Sequence, residues 1–324
     1  MVARGIIELM AKAPIPELPQ HTRSRVLLLV FFLLLLYVAL PRMGNFSASF
    51  AAMREARLDL IALGLILVIA TYVCATGVYQ NLALKPLYFK RTLLVQTANA
   101  FVNRLLPAGI GGMTLSVQYL RKSGYTLPQA VAVAGCNNML GVVGHTLLLV
   151  LVVLVSKGTL LDQLELPRIS SGLLIVGGLL GVLTAILFIL QRVRRYLYAL
   201  TSGVLTYVAT YRNHLSRLFG ALFCSLGLTG GYVLTFYLCV LAVGMDVSLW
   251  NVFVVFTVGM VATAVTPTPG GLGGTEAGLL AGLVAYGADP PMALASVLLY
   301  RFLTYWLPLL PGFIVFLVIR KRYI

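Results

Sequence analysis

Two arginines and one glutamate lie inside long apolar stretches of the sequence. Arg104 lies three residues before the break of one Gly/Pro-broken stretch, Arg301 lies about ten residues into the last predicted span, and Glu276 is the only acid within the apolar part of the two broken stretches. An ionised side chain at membrane depth costs at least about 2.5–3.5 kcal/mol on insertion scales, so such residues are candidates for a functional site. We expect Arg301, together with Arg104, to neutralise a phosphate group. The alternatives are that Arg104 snorkels toward an interface and that Arg301 and Glu276 form a purely structural pair.

Glu276 follows a Gly-Gly-Thr sequence at a predicted helix start. A carboxylate in a site built for phosphate would repel the ligand, so Glu276 must be neutralised by Arg301, be protonated or face a cationic headgroup. Proton coupling is one resolution. The alternative is a first-turn carboxylate that complements the helix dipole, with Thr275 as the cap.

The two broken stretches are residues 92–122 and 250–287, interrupted at 107–112 (PAGIGG) and 266–274 (TPTPGGLGG). Pro removes a helical donor and Gly frees the backbone, so each stretch should be two short helices joined by irregular chain. The N–H groups at the start of each second helix could hold an anion such as phosphate. The alternative is that the glycines only let helices pack closely. The candidate residues of these turns are Gly109, Gly111, Gly112, Gly270, Gly271, Gly273, Gly274 and Thr275.

Further polar residues lie within the predicted spans. Asn137 and Asn138 are either substrate contacts or interhelical hydrogen-bond partners. His145 has little acid nearby, which favours a hydrogen-bonded buried histidine over a proton relay.

The elements that position these residues follow from composition. Of 324 residues, 60% are hydrophobic and 10% are charged, which is typical of an integral membrane protein. The fold class is therefore an all-α polytopic membrane protein, with six full transmembrane crossings plus two re-entrant broken-helix hairpins. The six predicted crossings are residues 26–41, 58–80, 128–155, 170–190, 218–243 and 292–319.

The basic residues predict the orientation. If the N-terminus is cytoplasmic and both broken stretches turn back, most of the 24 basic residues lie on the cytoplasmic side, as the positive-inside rule requires. Both termini are then cytoplasmic. Residues 1–25 form a cytoplasmic segment, 26–324 a single transmembrane domain, and 191–217 an interfacial amphipathic helix. The net charge of +15 thus encodes topology, and no nucleic acid partner is expected.

The two broken stretches also predict an internal repeat. Pro107, Gly109, Gly111 and Gly112 recur 162 residues later, and the following residues recur at an offset of 163, which pairs Asn138 with Arg301. The repeat elements are about 92–155 and 250–319. Three predicted crossings separate them, so the repeat is inverted, as in alternating-access transporters.

The motifs resemble a known family. Residues 267–278 (PTPGGLGGTEAG) followed by Leu299, Tyr300 and Arg301, together with residues 103–112 (NRLLPAGIGG), resemble the flippase-like transmembrane domain of lysylphosphatidylglycerol synthases. The resemblance spans the chain from about residue 25. It implies a domain that moves aminoacylated phosphatidylglycerol, another phospholipid or a polyprenyl-phosphate carrier between leaflets, and it adds Tyr300 to the site. Relatives tend to carry a charged residue where this sequence has Asn137 and Asn138.

The sequence ends at Ile324, directly after the last predicted span, so we expect no soluble aminoacyl-transferase domain and no lysyl-lipid synthesis. The leading hypothesis is a lipid translocase of a bacterial or archaeal cytoplasmic membrane. The alternatives are a small-solute or ion secondary transporter, an intramembrane enzyme using Glu276 and His145, and a scaffold. The sequence has no phosphate-loop or HExxH motif, and we expect no cofactor or metal. Expected partners are a phospholipid or polyprenyl-phosphate substrate, with a homo-oligomer and a separate lipid-modifying enzyme as further candidates.

Overall fold

The computed structural model describes residues 46–105, 110–155, 214–266 and 268–323, and the regular elements in these ranges are helical. The helices are α1 (Phe46–Arg54), α2 (Leu58–Leu82), α3 (Phe89–Leu105), α4 (Ile110–Lys122), α5 (Leu127–Val155), α6 (Leu215–Ala242), α7 (Leu249–Val265), α8 (Gly274–Ala285), α9 (Pro290–Arg301) and α10 (Leu309–Tyr323). A short 3-10 turn, Pro269–Gly271, lies between α7 and α8, and a π-helical turn, Phe302–Trp306, joins α9 to α10.

Four helical segments of the described residues are long and apolar enough to cross a membrane: Leu58–Leu82, Leu127–Leu148, Leu215–Ala242 and Pro290–Arg320. They coincide with four of the six predicted crossings, and the all-α membrane class is confirmed. The predicted crossings 26–41 and 170–190 lie outside the described residues, as do the segment 1–25 and nearly all of the amphipathic helix 191–217.

Large apolar side chains are exposed on the outer faces of these segments. Ile66 on α2, Phe223 on α6 and Ile314 on α10 are each more than half exposed. A soluble protein rarely exposes many large apolar side chains to water, whereas such side chains are suited to contact with lipid tails.

Helices α2 and α6 form an antiparallel pair because small residues let them approach closely. A Cβ on Gly231 would lie 2.7 Å from the Thr71 methyl carbon, and one on Gly77 would lie 2.6 Å from the Cys224 sulfur. Close approach through glycine is a common mode of helix packing in membranes. The pair forms one wall of the cavity described below.

The second broken stretch folds into an antiparallel helical hairpin, α7–α8. Gly278 packs so closely on α7 that a Cβ would lie 3.0 Å from the Gly259 Cα, and Gly282 packs on Val255 one turn further. The turn between the helices needs left-handed backbone at Gly270, where φ is 63°. The predicted division into two helices joined by irregular chain is therefore confirmed.

The first broken stretch forms the hairpin α3–α4, with its helices again antiparallel. The Thr92 and Tyr119 hydroxyls are 2.9 Å apart near its open end, and the Gly112 N–H donates to Asn103 Oδ1 at 2.6 Å near its closed end. Helix α3 ends at Leu105 and α4 begins at Ile110, whereas the predicted turn residues Pro107 and Gly109 lie outside the described residues.

The chain that follows each hairpin has the same backbone geometry in both predicted copies of the repeat. Gly124 and Gly287, 163 residues apart, have φ of 88° and 82°. In the first copy, the N–H of the residue after this glycine donates to Leu120 O, and in the second the equivalent N–H donates to Leu283 O, both at 3.1 Å. Each glycine therefore ends its helix with the same αL cap.

Candidate functional site

A cavity of about 880 Å³ lies between the two hairpins and the α2–α6 pair. Its volume falls in the range of small-molecule and cofactor sites. The sequence-predicted residues that line it are Arg104, Gly112, Asn137, Asn138, Gly270, Tyr300 and Arg301. Those that do not line it, among the described residues, are Gly111, Gly271, Gly273, Gly274, Thr275 and Glu276.

The two arginines meet at one aromatic ring. The guanidinium carbon of Arg104, from α3, is 4.8 Å from the ring centroid of Tyr305, and that of Arg301, from the end of α9, is 4.4 Å from the same centroid. Cation–π contact at these distances holds both groups against the aromatic ring. The structure thus brings together two cations that the sequence places far apart, and Tyr305 is a site residue that the sequence analysis missed.

Arg301 is paired with a carboxylate. Its Nε donates to Glu276 Oε1 at 2.6 Å, and the second Glu276 oxygen accepts the Gly273 N–H at 2.7 Å. Glu276 therefore neutralises Arg301 and also closes the first turn of α8 in the manner of a capping box. Both interpretations of Glu276 apply at once, but the cap differs from the expected one, because Thr275 donates to the Gly271 carbonyl instead.

Arg104 has no such partner. Its guanidinium donates to two backbone carbonyls, that of Ala100 on its own helix and that of Thr304 in the π-helical turn. Among the described residues no carboxylate lies within ion-pair distance of Arg104, and its Nε has no hydrogen-bond partner. Through these bonds Arg104 joins the first hairpin to the π-helical turn that follows α9.

The Thr304 carbonyl is open to Arg104 for a local reason. In an α-helix this carbonyl would accept the N–H of the fourth residue onward, which here is Pro308 and has none. The turn relaxes into π geometry, in which the Leu307 N–H donates to Phe302 O at 2.9 Å. A proline thus leaves one acceptor at the cavity wall, and an arginine from another helix uses it.

The glycine turns are occupied by the protein's own groups. The N–H groups of Gly112, Gly271 and Gly273 donate to Asn103 Oδ1, Thr268 O and Glu276 Oε2. Tight packing accounts for two more, since a Cβ on Gly111 would lie 2.4 Å from a backbone oxygen of α3 and one on Gly274 would lie 1.9 Å from a threonine hydroxyl. The close-packing alternative fits these positions better than an anion cradle does.

Polar side chains of α5 complete the cavity wall. The hydrogen bond of Asn137 is to Asn138 at 3.5 Å, so within the described part of the chain this pair does not join α5 to a second helix. His145 lies 3.1 Å from the Thr257 hydroxyl and stacks on the Phe253 ring, so the expectation of a hydrogen-bonded histidine is confirmed.

Three further lining residues were not predicted from the sequence. Gln96 and Asn99 of α3 and Ser116 of α4 are almost fully buried at the cavity. The signal was present, because residues 96, 99 and 103 are amides at helical spacing and therefore share one face of α3.

One comparison with known proteins identifies a family. A family model described as Lysylphosphatidylglycerol synthase TM region matches residues 25–312, which is most of the chain. No curated protein matches the chain.

Proposed function

The chain belongs to the family of the lysylphosphatidylglycerol synthase transmembrane region, and from that premise we propose that it is a lipid translocase. It moves an anionic or aminoacylated phospholipid, or a polyprenyl-phosphate carrier, between membrane leaflets. The observation that carries the proposal is the charge of Arg104, which lies at the wall of a cavity of about 880 Å³ with no carboxylate partner among the described residues. A largely buried charge without a counter-charge is costly, and a lipid phosphate would compensate it.

The proposed topology has six crossings, two re-entrant hairpins and both termini in the cytoplasm. Helices of 17 and 13 residues, α3 and α4, are shorter than the roughly 20 residues that a crossing needs, which supports a hairpin that enters and leaves on one side. Gly124 and Gly287, which cap their helices in the same way, lie 163 residues apart, as the predicted repeat requires. In an inverted repeat, rocking of one half against the other opens the cavity to each leaflet in turn.

Within this mechanism the two arginines have different roles. Arg104 receives the phosphate. Arg301 stays with Glu276, and Tyr305 contacts both guanidinium groups. Because the Arg301–Glu276 pair adds little net charge, the positive potential at the cavity comes mainly from Arg104. The acyl chains remain in the bilayer while the headgroup crosses through the cavity.

We propose a transporter and not an enzyme. The enzyme hypothesis needs Glu276 and His145 as reacting groups, but Glu276 is bound by Arg301 and Gly273, and His145 is bound to Thr257. Within the described ranges, neither has a nucleophile and base arrangement around it.

The test is transbilayer movement of fluorescent phosphatidylglycerol in liposomes that contain the purified full chain, with and without an imposed pH gradient. We expect protein-dependent movement, and we expect Arg104→Ala to slow it about tenfold or more, because a hydrogen bond to a charged group contributes about 1.5–3 kcal/mol. The matched control is Arg91→Ala, which removes an exposed arginine from the same helix outside the cavity.

Rates equal to those of empty liposomes, for every phosphate lipid tested, would contradict the proposal. Binding of a small solute or an ion that is indifferent to lipid headgroup would instead favour the secondary transporter. Equal slowing by Arg104→Ala and Arg91→Ala would remove the role given to Arg104.

A further inference from the structure

A neutral polar cluster lies at the first-hairpin side of the cavity. Gln96, Asn99 and Ser116 are 8%, 7% and 1% exposed, and all three line the cavity. The Asn99 amide nitrogen donates to Ser116 Oγ at 3.0 Å and to Gln96 Oε1 at 3.3 Å. Two atoms are left over. Gln96 Nε2 and Asn99 Oδ1 have no hydrogen-bond partner in the part of the chain that the structure describes.

Unpartnered atoms of this kind need an explanation, because buried polar groups are nearly always hydrogen-bonded. Here one is a donor and the other an acceptor, and they belong to neighbouring side chains. An ammonium group can only donate and a phosphate oxygen can only accept, so neither could satisfy both atoms. A hydroxyl group donates and accepts, and it therefore satisfies the pair.

The charges at the cavity also disfavour an amine. The described lining residues include Arg104, Arg301 and His145 but no aspartate or glutamate. Glu276, the carboxylate that pairs with the lining residue Arg301, is held by Arg301 and the Gly273 N–H. A cationic headgroup would meet Arg104 without a counter-charge and would be repelled.

The spacing along α3 fits a phosphate and a hydroxyl group on one molecule. With a rise of about 1.5 Å per residue, Arg104 is roughly 8 Å along the axis from Asn99 and roughly 12 Å from Gln96. Asn103 lies between Asn99 and Arg104 on α3, but its Oδ1 already accepts the Gly112 N–H. Long side chains shorten the first distance, so a phosphate held by Arg104 places the hydroxyls of an attached glycerol or sugar ring near the amides.

Building on the proposed function, we propose that Gln96, Asn99 and Ser116 form a hydroxyl-binding subsite. The substrate is then a phosphate ester of a neutral polyol, with Arg104 at the phosphate and the amides at the polyol. This deepens the proposed function by favouring a hydroxylated headgroup over an aminoacylated or other amine-bearing one.

The experiment compares labelled lipids that share a phosphate and acyl chains, in liposomes containing the full chain. Phosphatidylglycerol and phosphatidylinositol carry hydroxyls, phosphatidylpropanol has the same charge without them, and phosphatidylethanolamine carries an amine. We expect at least one polyol lipid to move about tenfold faster than phosphatidylpropanol, because a site that hydrogen-bonds a hydroxyl discriminates against the analogue lacking it. Phosphatidylethanolamine should be slower than the preferred polyol lipid.

Asn99→Leu and Gln96→Leu should bring the ratio of the polyol rate to the phosphatidylpropanol rate toward one. Each replaces an amide by an apolar side chain of similar size, and size-exclusion chromatography checks folding. Thr97→Val is the matched control, since Thr97 lies on the same helix, donates to Leu93 O and does not line the cavity. It should keep the wild-type ratio.

The outcomes separate this inference from the proposed function. Movement of phosphate lipids with equal polyol and phosphatidylpropanol rates, or with the amine lipid fastest, overturns the hydroxyl subsite and leaves the translocase. An unchanged ratio in both leucine variants also overturns the subsite. Movement of no lipid at all overturns the translocase and the subsite with it.

Discussion

The two hairpins perform the same structural task with side chains of different charge. In the second, the carboxylate of Glu276 accepts the Gly273 N–H where α8 begins. In the first, the amide oxygen of Asn103 accepts the Gly112 N–H where α4 begins. Each side-chain oxygen accepts a hydrogen bond from a backbone N–H that would otherwise be unpaired at the start of a helix. Because the first hairpin uses an amide, Arg104 is left without a carboxylate among the described residues, whereas Glu276 of the second hairpin neutralises Arg301 at the end of α9.

The elements that follow the hairpins differ as well. Helix α5 continues through Asn138 without interruption, whereas α9 ends at the paired position, Arg301, and changes to π geometry. The difference follows from Pro308, which is absent from the equivalent place in α5. The two predicted repeat elements therefore differ at positions that line the cavity, with Asn138 in α5 and Arg301 at the end of α9.

The largest effect that tests this comparison is on stability. Arg301→Ala leaves the Glu276 carboxylate buried without its partner, and breaking a buried pair in this way costs about 3–5 kcal/mol. Adding Glu276→Gln should recover part of this, because an amide at position 276 can still accept the Gly273 N–H, as Asn103 does in the first hairpin. Unfolding of the detergent-solubilised chain measures both free energies.

Arg104→Ala is the control for these variants. Among the described residues no carboxylate pairs with Arg104, so its removal should lower the free energy of unfolding less than the removal of Arg301 does. If Arg301→Ala and the double variant have the same free energy of unfolding, the Glu276 carboxylate does not need Arg301 to compensate its charge, and the contrast between the hairpins is wrong.

The second test converts one hairpin's chemistry into the other's. Asn103→Asp keeps an acceptor for the Gly112 N–H and adds a carboxylate to the cavity that Arg104 also lines. The cavity loses its uncompensated charge, so movement of an anionic lipid should fall about tenfold, the equivalent of about 1.4 kcal/mol, with little change in stability. Liposome transport and thermal unfolding of the same preparation are the two measurements.

Asn251→Asp is the matched control, because it makes the same exchange in the first turn of α7, away from the cavity, where a carboxylate suits the helix dipole. Normal anionic-lipid transport by Asn103→Asp would show that the free charge of Arg104 is not what the substrate meets.

The sequence predicts the fold better than it predicts the contacts. Apolar length identifies the four described spans, and clustered Pro and Gly identify both helix breaks, because backbone rules act locally. An ion pair between Arg301 and Glu276, both in the predicted second repeat element, was one of the alternatives expected from the sequence. Their ion pair is observed, whereas the further substrate role of these residues stays a prediction.

The contacts missed from the sequence depend on tertiary packing. Nothing in the residues around Thr304 indicates that an arginine two hundred positions away will use its carbonyl. The glycines of the turns were expected to offer free donors, but whether a donor is free depends on the side chain that packs against it, as Asn103 does against Gly112. Helical spacing of Gln96, Asn99 and Asn103 was the one available signal for the amide face.

The smallest effect tests whether the halves share a backbone. Gly124 and Gly287 have positive φ, and a Cβ at either would meet nothing closer than 3.9 Å, so an alanine there is penalised only by its left-handed conformation. That penalty is about 1–2 kcal/mol, reduced by the lower entropy of the unfolded chain, which leaves a cost of about 1 kcal/mol. Gly124→Ala and Gly287→Ala should therefore lower the free energy of unfolding equally.

Gly141→Ala is the control, because it adds a methyl group in open space within helix α5, where alanine is preferred to glycine, and should be neutral or stabilising. A large difference between the effects of Gly124→Ala and Gly287→Ala on the free energy of unfolding would mean that the two caps contribute unequally to stability. The repeat would then be a similarity of sequence without a similarity in energetic role.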